Sequence, residues 1–181
     1  MDSIGGALST AFMYILAAAL MFGVPLMTLS SNNDDIAQMS LQAQTQEFVD
    51  TVATTGVLTE ADYAAFEQAA SADGTAKEIE MGISILDENP GKKVTQANPT
   101  KYGENVSYSI FSSQIKETLS QNGSIALKQG DMFSVSVKNK YPTLGDTLNN
   151  FFYSVPQSAA YSIASQASAY CTVNGDLSNK Q

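Results

Sequence analysis

The pattern of hydrophobic and polar positions changes near residue 31. Residues 4–29 contain no charged side chain, and apolar residues fall on every side of a helix drawn through them. Such a helix would be about 39 Å long, enough to cross a hydrocarbon core of about 30 Å. We therefore predict an apolar transmembrane or filament-core helix over residues 1–31 and a head domain over residues 32–181.

The segment that follows is polar and has one apolar stripe. Between Asp34 and Ala53 apolar residues recur at helical spacing, which predicts an amphipathic helix that stops at Gly56. Residues 32–53 are a candidate continuation of the first helix, giving one long rod with a bend at Pro25. The predicted stripe comprises Leu41, Thr45, Phe48, Val49 and Val52.

The next segments of the head predict a helix, a strand and a loop. Thr59 and Asp62 have the spacing of a capping box at the start of a second helix, which Gly74 ends. Residues 78–86 alternate with a period of two, as in a strand with one wet face. Residues 88–104 hold two prolines and two glycines and predict a long exposed loop. The inner face of the second helix is predicted to be Tyr63, Phe66 and Ala70.

The remaining segments predict two helices and two strands. A third helix is expected over Val106–Gln121, and a strand begins at Ile125, breaks at Gly130-Asp131 and resumes to Val137. A fourth helix follows a second capping box, and residues 161–173 favour a strand. The predicted fold is α+β: a long N-terminal apolar helix, then a head with a small antiparallel sheet and about three helices. The second capping box consists of Thr143 and Asp146. The inner face of the third helix is predicted to be Ile110, Phe111, Ile115 and Leu119. The inner face of the fourth helix is predicted to be Leu144, Leu148, Phe151, Phe152 and Val155.

Composition and charge exclude some functions. The net charge is −9, from 18 acidic and 9 basic residues, and the sequence has no arginine, histidine or tryptophan. Without arginine the chain lacks the bidentate donor that reads phosphates and guanines, and its negative field repels polyanions. We therefore predict no nucleic-acid partner. The single cysteine, Cys171, excludes an internal disulfide; we expect a buried apolar residue, with an intermolecular disulfide as the alternative.

Two patterns resemble catalytic or metal sites, and neither is complete. Ser113 and Lys116 have the spacing of a serine nucleophile and a lysine base, but the Ser-Asp-Asn and Lys-Thr-Gly elements that work with such a pair are absent. Asn174, Asp176 and Ser178 alternate as at the start of a calcium loop, but an EF-hand needs a longer loop that ends in glutamate. We predict no enzymatic activity, no metal site and no cofactor.

The apolar opening has three interpretations. A secretory signal peptide is the weakest, because residues 1–3 carry Asp2 and no positive charge. A bilayer anchor fits the length of the run. A helix that leaves the membrane and packs against its copies in a filament also fits, because the run is rich in glycine, alanine and serine, which let helix backbones approach closely.

Two stretches of the head carry a resemblance to a known family. They are EFVDTVATTGVLTEADYAAFEQAASADGTAKEIEM (Glu47–Met81) and QGDMFSVSVKNKYPTLGDTLNNFF (Gln129–Phe152). Both are similar to small, N-terminally anchored proteins of Gram-positive bacteria that are associated with Tad-like or type IV pilus-like assembly systems. The shared positions are Phe48-Val49-Asp50, Gly56, Thr59, Tyr63, Phe66, Gly130-Asp131, Phe133-Ser134-Val135, Lys140 and Pro142.

A broader outline resembles the type IV pilins. Those proteins have an apolar N-terminal helix, often with a proline about two thirds along it, a polar extension and a sheet-bearing head. Pro25 and the rod over residues 4–53 match that outline. Pilins usually carry a glutamate near the fifth mature position, where this chain has Gly5, and Asp2 is its only early carboxylate.

The resemblance implies a structural, pilin-like subunit of an extracellular filament, with the N-terminal helix packed in the filament core. The implied partners are copies of the chain itself, the membrane before assembly, and pilus-type assembly machinery. The implied location is membrane-anchored and at the cell surface. The alternative is a monomeric, membrane-anchored accessory protein of a secretion or conjugation apparatus. The residues expected to serve helix packing and assembly are Asp2, Gly5, Gly6, Ser9, Phe12, Tyr14, Ala17 and Pro25.

Overall fold

The computed structural model describes residues 2–86, 107–153 and 164–176. A long N-terminal helix leads into a head of three further helices and small antiparallel sheets, which confirms the predicted α+β class. The elements are α1 (Asp2–Thr55), β1 (Val57–Thr59), α2 (Glu60–Ala70), β2 (Lys77–Leu86), β3 (Ser107–Phe111), α3 (Ser112–Asn122), β4 (Ser124–Ala126), β5 (Met132–Asn139), α4 (Leu144–Tyr153) and β6 (Ala164–Tyr170).

The first helix is a single element of 54 residues that contains Pro25. It continues without a break from the apolar segment into the polar one. Gly56 ends it with a positive φ of 67°, and its N–H donates to the carbonyl of Val52 at 2.8 Å. A left-handed residue at this position favours glycine, which is why the helix stops where the sequence predicts.

The main sheet has four antiparallel strands in the order β3-β2-β5-β6. Its two central strands put their apolar residues on one face, where Ile79, Met81 and Ile83 of β2 lie beside Val135 and Val137 of β5. The opposite face carries mainly serine, glutamate, glutamine and lysine side chains, together with Phe111, Met132 and Tyr170. This alternation is what a sheet covered on one side only requires.

The helices cover the apolar face of the sheet. The second half of α1 packs on β5 and β6, α2 contacts α1, and α3 packs on β2. Phe48 of α1 stacks on Phe66 of α2 with ring centroids 4.4 Å apart and meets Phe133 of β5 edge-on at 5.7 Å. All five residues of the predicted α1 stripe are buried, so that stripe is confirmed as the core-facing side.

Hydrogen bonds fix α1 to the edge strand β6. The side-chain amide of Gln38 donates to the carbonyl of Ala164 and accepts from its N–H, at 2.5 and 2.8 Å. At the other end of the strand, the N–H of Thr172 donates to the carbonyl of Ala53 at 2.9 Å. The packed half of α1 is therefore held at both ends as well as through its apolar stripe.

The two predicted helix caps are present. The Thr59 hydroxyl accepts from the N–H of Asp62 at 3.1 Å. At α4, the Thr143 hydroxyl accepts from the N–H of Asp146 at 3.1 Å, and the Asp146 carboxylate accepts from the N–H of Thr143 at 3.0 Å. Since a cap is a contact between residues three apart, its local sequence is enough to predict it.

Two predicted elements are wrong in detail. The third helix was expected from Val106, but residues 107–111 form strand β3, whose partner is β2, and α3 begins at Ser112. As a result Phe111 is exposed rather than inward-facing. The expected strand through Ile125 is two strands, because β4 pairs with the unpredicted β1 and only β5 joins the main sheet.

Other predictions for the head have mixed outcomes. Leu144, expected on the inner face of α4, is exposed, whereas Leu148 is partly buried. The strand expected within residues 161–173 is present as β6. The expected loop over 88–104, Val155, and the side chains of Phe151 and Phe152 lie outside the described residues.

Candidate functional site

The first half of α1 is the most unusual surface of the molecule. Every residue from Gly6 to Phe22 is exposed, and a stretch of this helix is long and apolar enough to cross a membrane. Such a stretch fits a membrane anchor or a signal sequence by length and composition. The exposed large apolar side chains of this half are Leu8, Phe12, Met13, Tyr14, Ile15, Leu16, Leu20, Met21, Phe22, Val24, Leu26 and Leu29.

The residues predicted to serve assembly all lie in this half of the helix. Phe12 and Tyr14 are 66% and 73% exposed, and Ser9, Ala17 and Pro25 are also exposed. A Cβ atom added at Gly6 would meet nothing within 4 Å. Asp2 and Gly5 belong to the first turns of α1.

Helical geometry places part of this set on one face. At about 100° per residue, positions 2, 5, 6 and 9 fall within about 100° of one another around the helix axis. Positions 14 and 25 lie on the other side. The small residues of the first turns therefore form a narrow surface with short side chains. Further along the helix, the larger side chains project on all sides.

The exposed and packed halves meet where α4 begins. The hydroxyl of Thr143 donates to the carboxylate of Asp34 at 2.8 Å, and Ser30 is buried nearby. Gly145 lies so close to Asp34 that a Cβ atom there would collide with its carboxylate. Burial raises the pKa of Asp34 above its ordinary value, the Thr143 hydrogen bond opposes that shift, and the Asp146 charge adds to it. Ser30 and Asp34 thus mark the level at which the head begins to cover the helix.

In the serine–lysine pair of α3, the lysine makes contacts with the neighbouring elements α2 and β2. Ser113 and Lys116 are both exposed. The ammonium of Lys116 donates to the carbonyl of Ile79 at 3.3 Å and lies 5.4 Å from the centre of the Tyr63 ring. These contacts hold the lysine against α2 and β2. Among the described residues no group of three or more histidine, cysteine or acidic residues is arranged to hold a metal.

Cys171 is buried at the end of β6, in agreement with the expectation of a small apolar core residue. Burial raises the pKa of its thiol, and the nearby Asp131 charge adds to the shift. The carboxylate of Asp131 is itself buried and accepts from the N–H groups of Leu86 and Lys128, at 3.0 and 2.8 Å. This end of the core is therefore structural, and the thiol is too deeply placed for a bond to another subunit.

A polar cluster inside the head was not predicted from the sequence. Lys77 and Asn139 face each other at the same end of β2 and β5, and the Lys77 ammonium contacts Asp73. The sequence contains a signal for this cluster, because Lys77 interrupts the alternation of apolar and polar residues in β2. Lys77 continues the series of Ile79 and Met81 toward the core, where a lysine is unexpected, but only the pairing of the strands brings Asn139 to it.

Comparison with known proteins adds no family to this description. No protein family, no curated protein and no solved structure gives a significant match to the chain.

Proposed function

We propose that this chain is a structural subunit of an extracellular filament, with the exposed half of α1 packed against the same helix of neighbouring subunits. The observation that carries the proposal is that one continuous helix has a packed half and an apolar half that its own head leaves uncovered. An apolar surface of that size needs a lipid or protein environment.

The small residues favour helix neighbours over lipid as the final environment. In a bilayer, burying leucine or phenylalanine gives no preference for a neighbouring helix over lipid tails, so helix association depends on close backbone approach. Gly5, Gly6 and Ser9 fall close together around the first turns, where such approach would occur. The membrane holds the subunit before assembly, and pilus-type machinery transfers it to the growing filament.

The second candidate is a monomeric, membrane-anchored accessory protein of a secretion or conjugation apparatus. The membrane-spanning length of the apolar stretch favours it equally, because an anchor needs no more than length and hydrophobicity. The two candidates differ in what the small face must do. A lone anchor tolerates a large side chain there, whereas a helix packed among copies does not.

The test is Gly6→Leu in the full-length chain. Apart from the neighbouring backbone of α1 itself, no atom lies within 4 Å of a Cβ at this position, so the head does not obstruct the substitution. We expect normal amounts of membrane-inserted protein and loss of filaments from a sheared surface fraction examined by electron microscopy. Ala64→Leu, on the exposed side of α2, is the matched control and should assemble normally.

Asp2→Asn gives a second test of the same packing. In a pilin-like arrangement the Asp2 carboxylate neutralises the terminal amine of a neighbouring subunit, so its loss should weaken assembly and leave insertion intact. Wild-type assembly by both variants, or the absence of any filament from the wild-type strain, would leave the anchored monomer as the better explanation.

A further inference from the structure

Lys77 and Asn139 occupy core positions at one end of the main sheet. They are register partners on β2 and β5, and strand alternation puts them on the face that carries Ile79 and Val137. The Lys77 side chain is 1% exposed and Asn139 is 0% exposed. Burying an ammonium is costly even when it is paired, so this position needs an explanation.

The two side chains are in contact, and a carboxylate lies beside them. The Lys77 Nζ atom is 2.6 Å from Oδ1 of Asn139 and 2.6 Å from Oδ2 of Asp73. The other Asp73 oxygen accepts from the N–H and the hydroxyl of Thr75, at 3.0 and 2.7 Å. Asp73 is thus held in place with one oxygen directed at the ammonium.

The Asn139 amide nitrogen is the unexplained part of this arrangement. Its Nδ2 atom is buried and has no hydrogen-bond partner within the described part of the chain. An orphaned buried donor of this kind destabilises the folded state, because the hydrogen bond it made to water is not replaced. Two unfavourable groups, a buried ammonium and an unpaired amide, therefore lie next to each other, and a reaction that eliminates both would relieve the strain on the core.

We propose that the folded chain joins Lys77 to Asn139 through an intramolecular isopeptide bond, with Asp73 as the proton carrier. The bond links the two central strands of the sheet at the end where β2 begins and β5 ends. It is independent of the filament proposal, since it rests only on residues inside the head.

The reaction balances without an oxidant or a co-reactant. The Lys77 ammonium gives one proton to the Asp73 carboxylate, and the neutral Nζ attacks Cγ of Asn139, which is one bond from the contacted Oδ1. The new Cγ–Nζ bond forms as the Cγ–Nδ2 bond breaks. A second proton moves from Nζ to the leaving nitrogen, and the proton held by Asp73 follows it, so an ammonium ion departs and the carboxylate is restored.

Such a bond would supply a covalent link that the chain cannot otherwise make. The sequence has one cysteine and so no internal disulfide. A cross-link between residues 77 and 139 closes a long loop, which restricts the unfolded chain as a disulfide would.

The first experiment is the intact mass of the full-length protein, purified in detergent and denatured before measurement. We expect a mass below that of the sequence by one ammonia molecule. Asn-Gly pairs at Asn122 and Asn174 can also lose ammonia by forming succinimides, so the lost mass must be located. Digestion after acidic residues should give one branched product that contains both Lys77 and Asn139, identified by tandem mass spectrometry.

Variants assign the roles. Asn139→Ala and Lys77→Met should each have the full mass of their own sequences. Asp73→Asn should lose the bond while keeping both reacting side chains. Lys138→Met is the matched control, because Lys138 is adjacent to Asn139 but faces the opposite side, toward Glu78, and the bond should persist there.

Two results would overturn the proposal. A wild-type protein with the full sequence mass and no branched product excludes the bond, and this result does not depend on whether any variant folds. Complete bond formation in Asp73→Asn excludes Asp73 as the proton carrier.

Discussion

The two halves of α1 belong to one continuous helix, but one half is packed against the head and the other is exposed. In the second half, Leu41, Val49 and Val52 are at most 2% exposed, because the sheet covers them. In the first half, large apolar side chains such as Ile15 and Met21 are about 70% exposed. The difference shows that a continuous helix can be buried along one part and exposed along another. Within the subunit, α1 is buried only where the rest of the chain provides a surface for it to pack on.

This contrast gives the two halves different tasks. The packed half has one apolar stripe, and its orientation is fixed by the hydrogen bonds of Gln38 with Ala164 in β6 and by the bond that the Thr172 N–H donates to Ala53. The exposed half has large apolar side chains on all sides, and only the small residues near its start distinguish one face from the others. The packed half therefore stabilises the head, and the exposed half is available for lipid or for other subunits.

The largest expected difference comes from two phenylalanines. Phe48→Ala removes a ring that contacts Phe66 and Phe133 and should lower the free energy of unfolding of the head by about 3–5 kcal/mol. Phe12→Ala, in the exposed half, should change it by less than about 0.5 kcal/mol. Urea unfolding of the full chain in detergent, followed by tyrosine circular dichroism, measures both. Similar losses in the two variants would mean that the exposed half also packs on the head.

Two glycines make a smaller comparison of the same kind. Gly56→Ala forces a side chain into a left-handed conformation, at a cost of about 1–3 kcal/mol. The new Cβ would also lie 2.6 Å from the backbone nitrogen of Gly175. Gly6→Ala adds a Cβ that meets no atom beyond the neighbouring backbone of α1, so it should leave head unfolding unchanged, while helix propensity improves by about 0.5–1 kcal/mol.

Thermal unfolding of the two variants gives the answer. The comparison fails if Gly56→Ala unfolds at the wild-type temperature, because the turn after α1 would then not be fixed as described. It also fails if Gly6→Ala destabilises the head.

The smallest expected effect lies at the junction of the two halves. The folded-state pKa of Asp34 is raised by burial, so its ionised form is less favourable in the folded chain than in the unfolded chain. The contribution of Asp34 to the stability of the folded chain therefore becomes more favourable as pH falls from neutral toward the ordinary pKa of 3.8. Asp34→Asn should be more stable than wild type at neutral pH, and this advantage should shrink as the pH is lowered through that window.

Melting temperatures measured across pH test this sign. Glu47→Gln is the control, because Glu47 is an exposed acid of α1 that is not among the charges acting on Asp34, and its substitution should leave the Asp34-dependent change in place. An Asp34→Asn variant that is less stable at neutral pH would contradict the assignment.

Elements with a local cause could be predicted from the sequence. The stripe of α1, the stop at Gly56 and the caps at Thr59 and Thr143 depend on residues within a few positions of one another, and all are present. The alternation of β2 is equally local. The exposed half of α1 could be recognised from its lack of charge alone, because no arrangement of the head changes that property.

Elements that depend on residues far apart in the sequence could not be predicted from the sequence. β1 and β4 are three residues each, and β3 five, so their sequences carry little periodic signal. They are strands because β1 and β4 pair with each other and β3 pairs with β2. Phe111 was placed inside a helix for the same reason: its own segment favours helical spacing, and only the strand partner reverses that preference.

The sequence by itself determined that the chain has an apolar helix, a polar continuation and an α+β head, because side-chain period and turn chemistry act over a few residues. Tertiary structure alone decided the strand order, the level at which the head stops covering α1, and the meeting of Lys77 with Asn139 across two paired strands. Those features depend on which distant segments come together, and no local pattern contains that information.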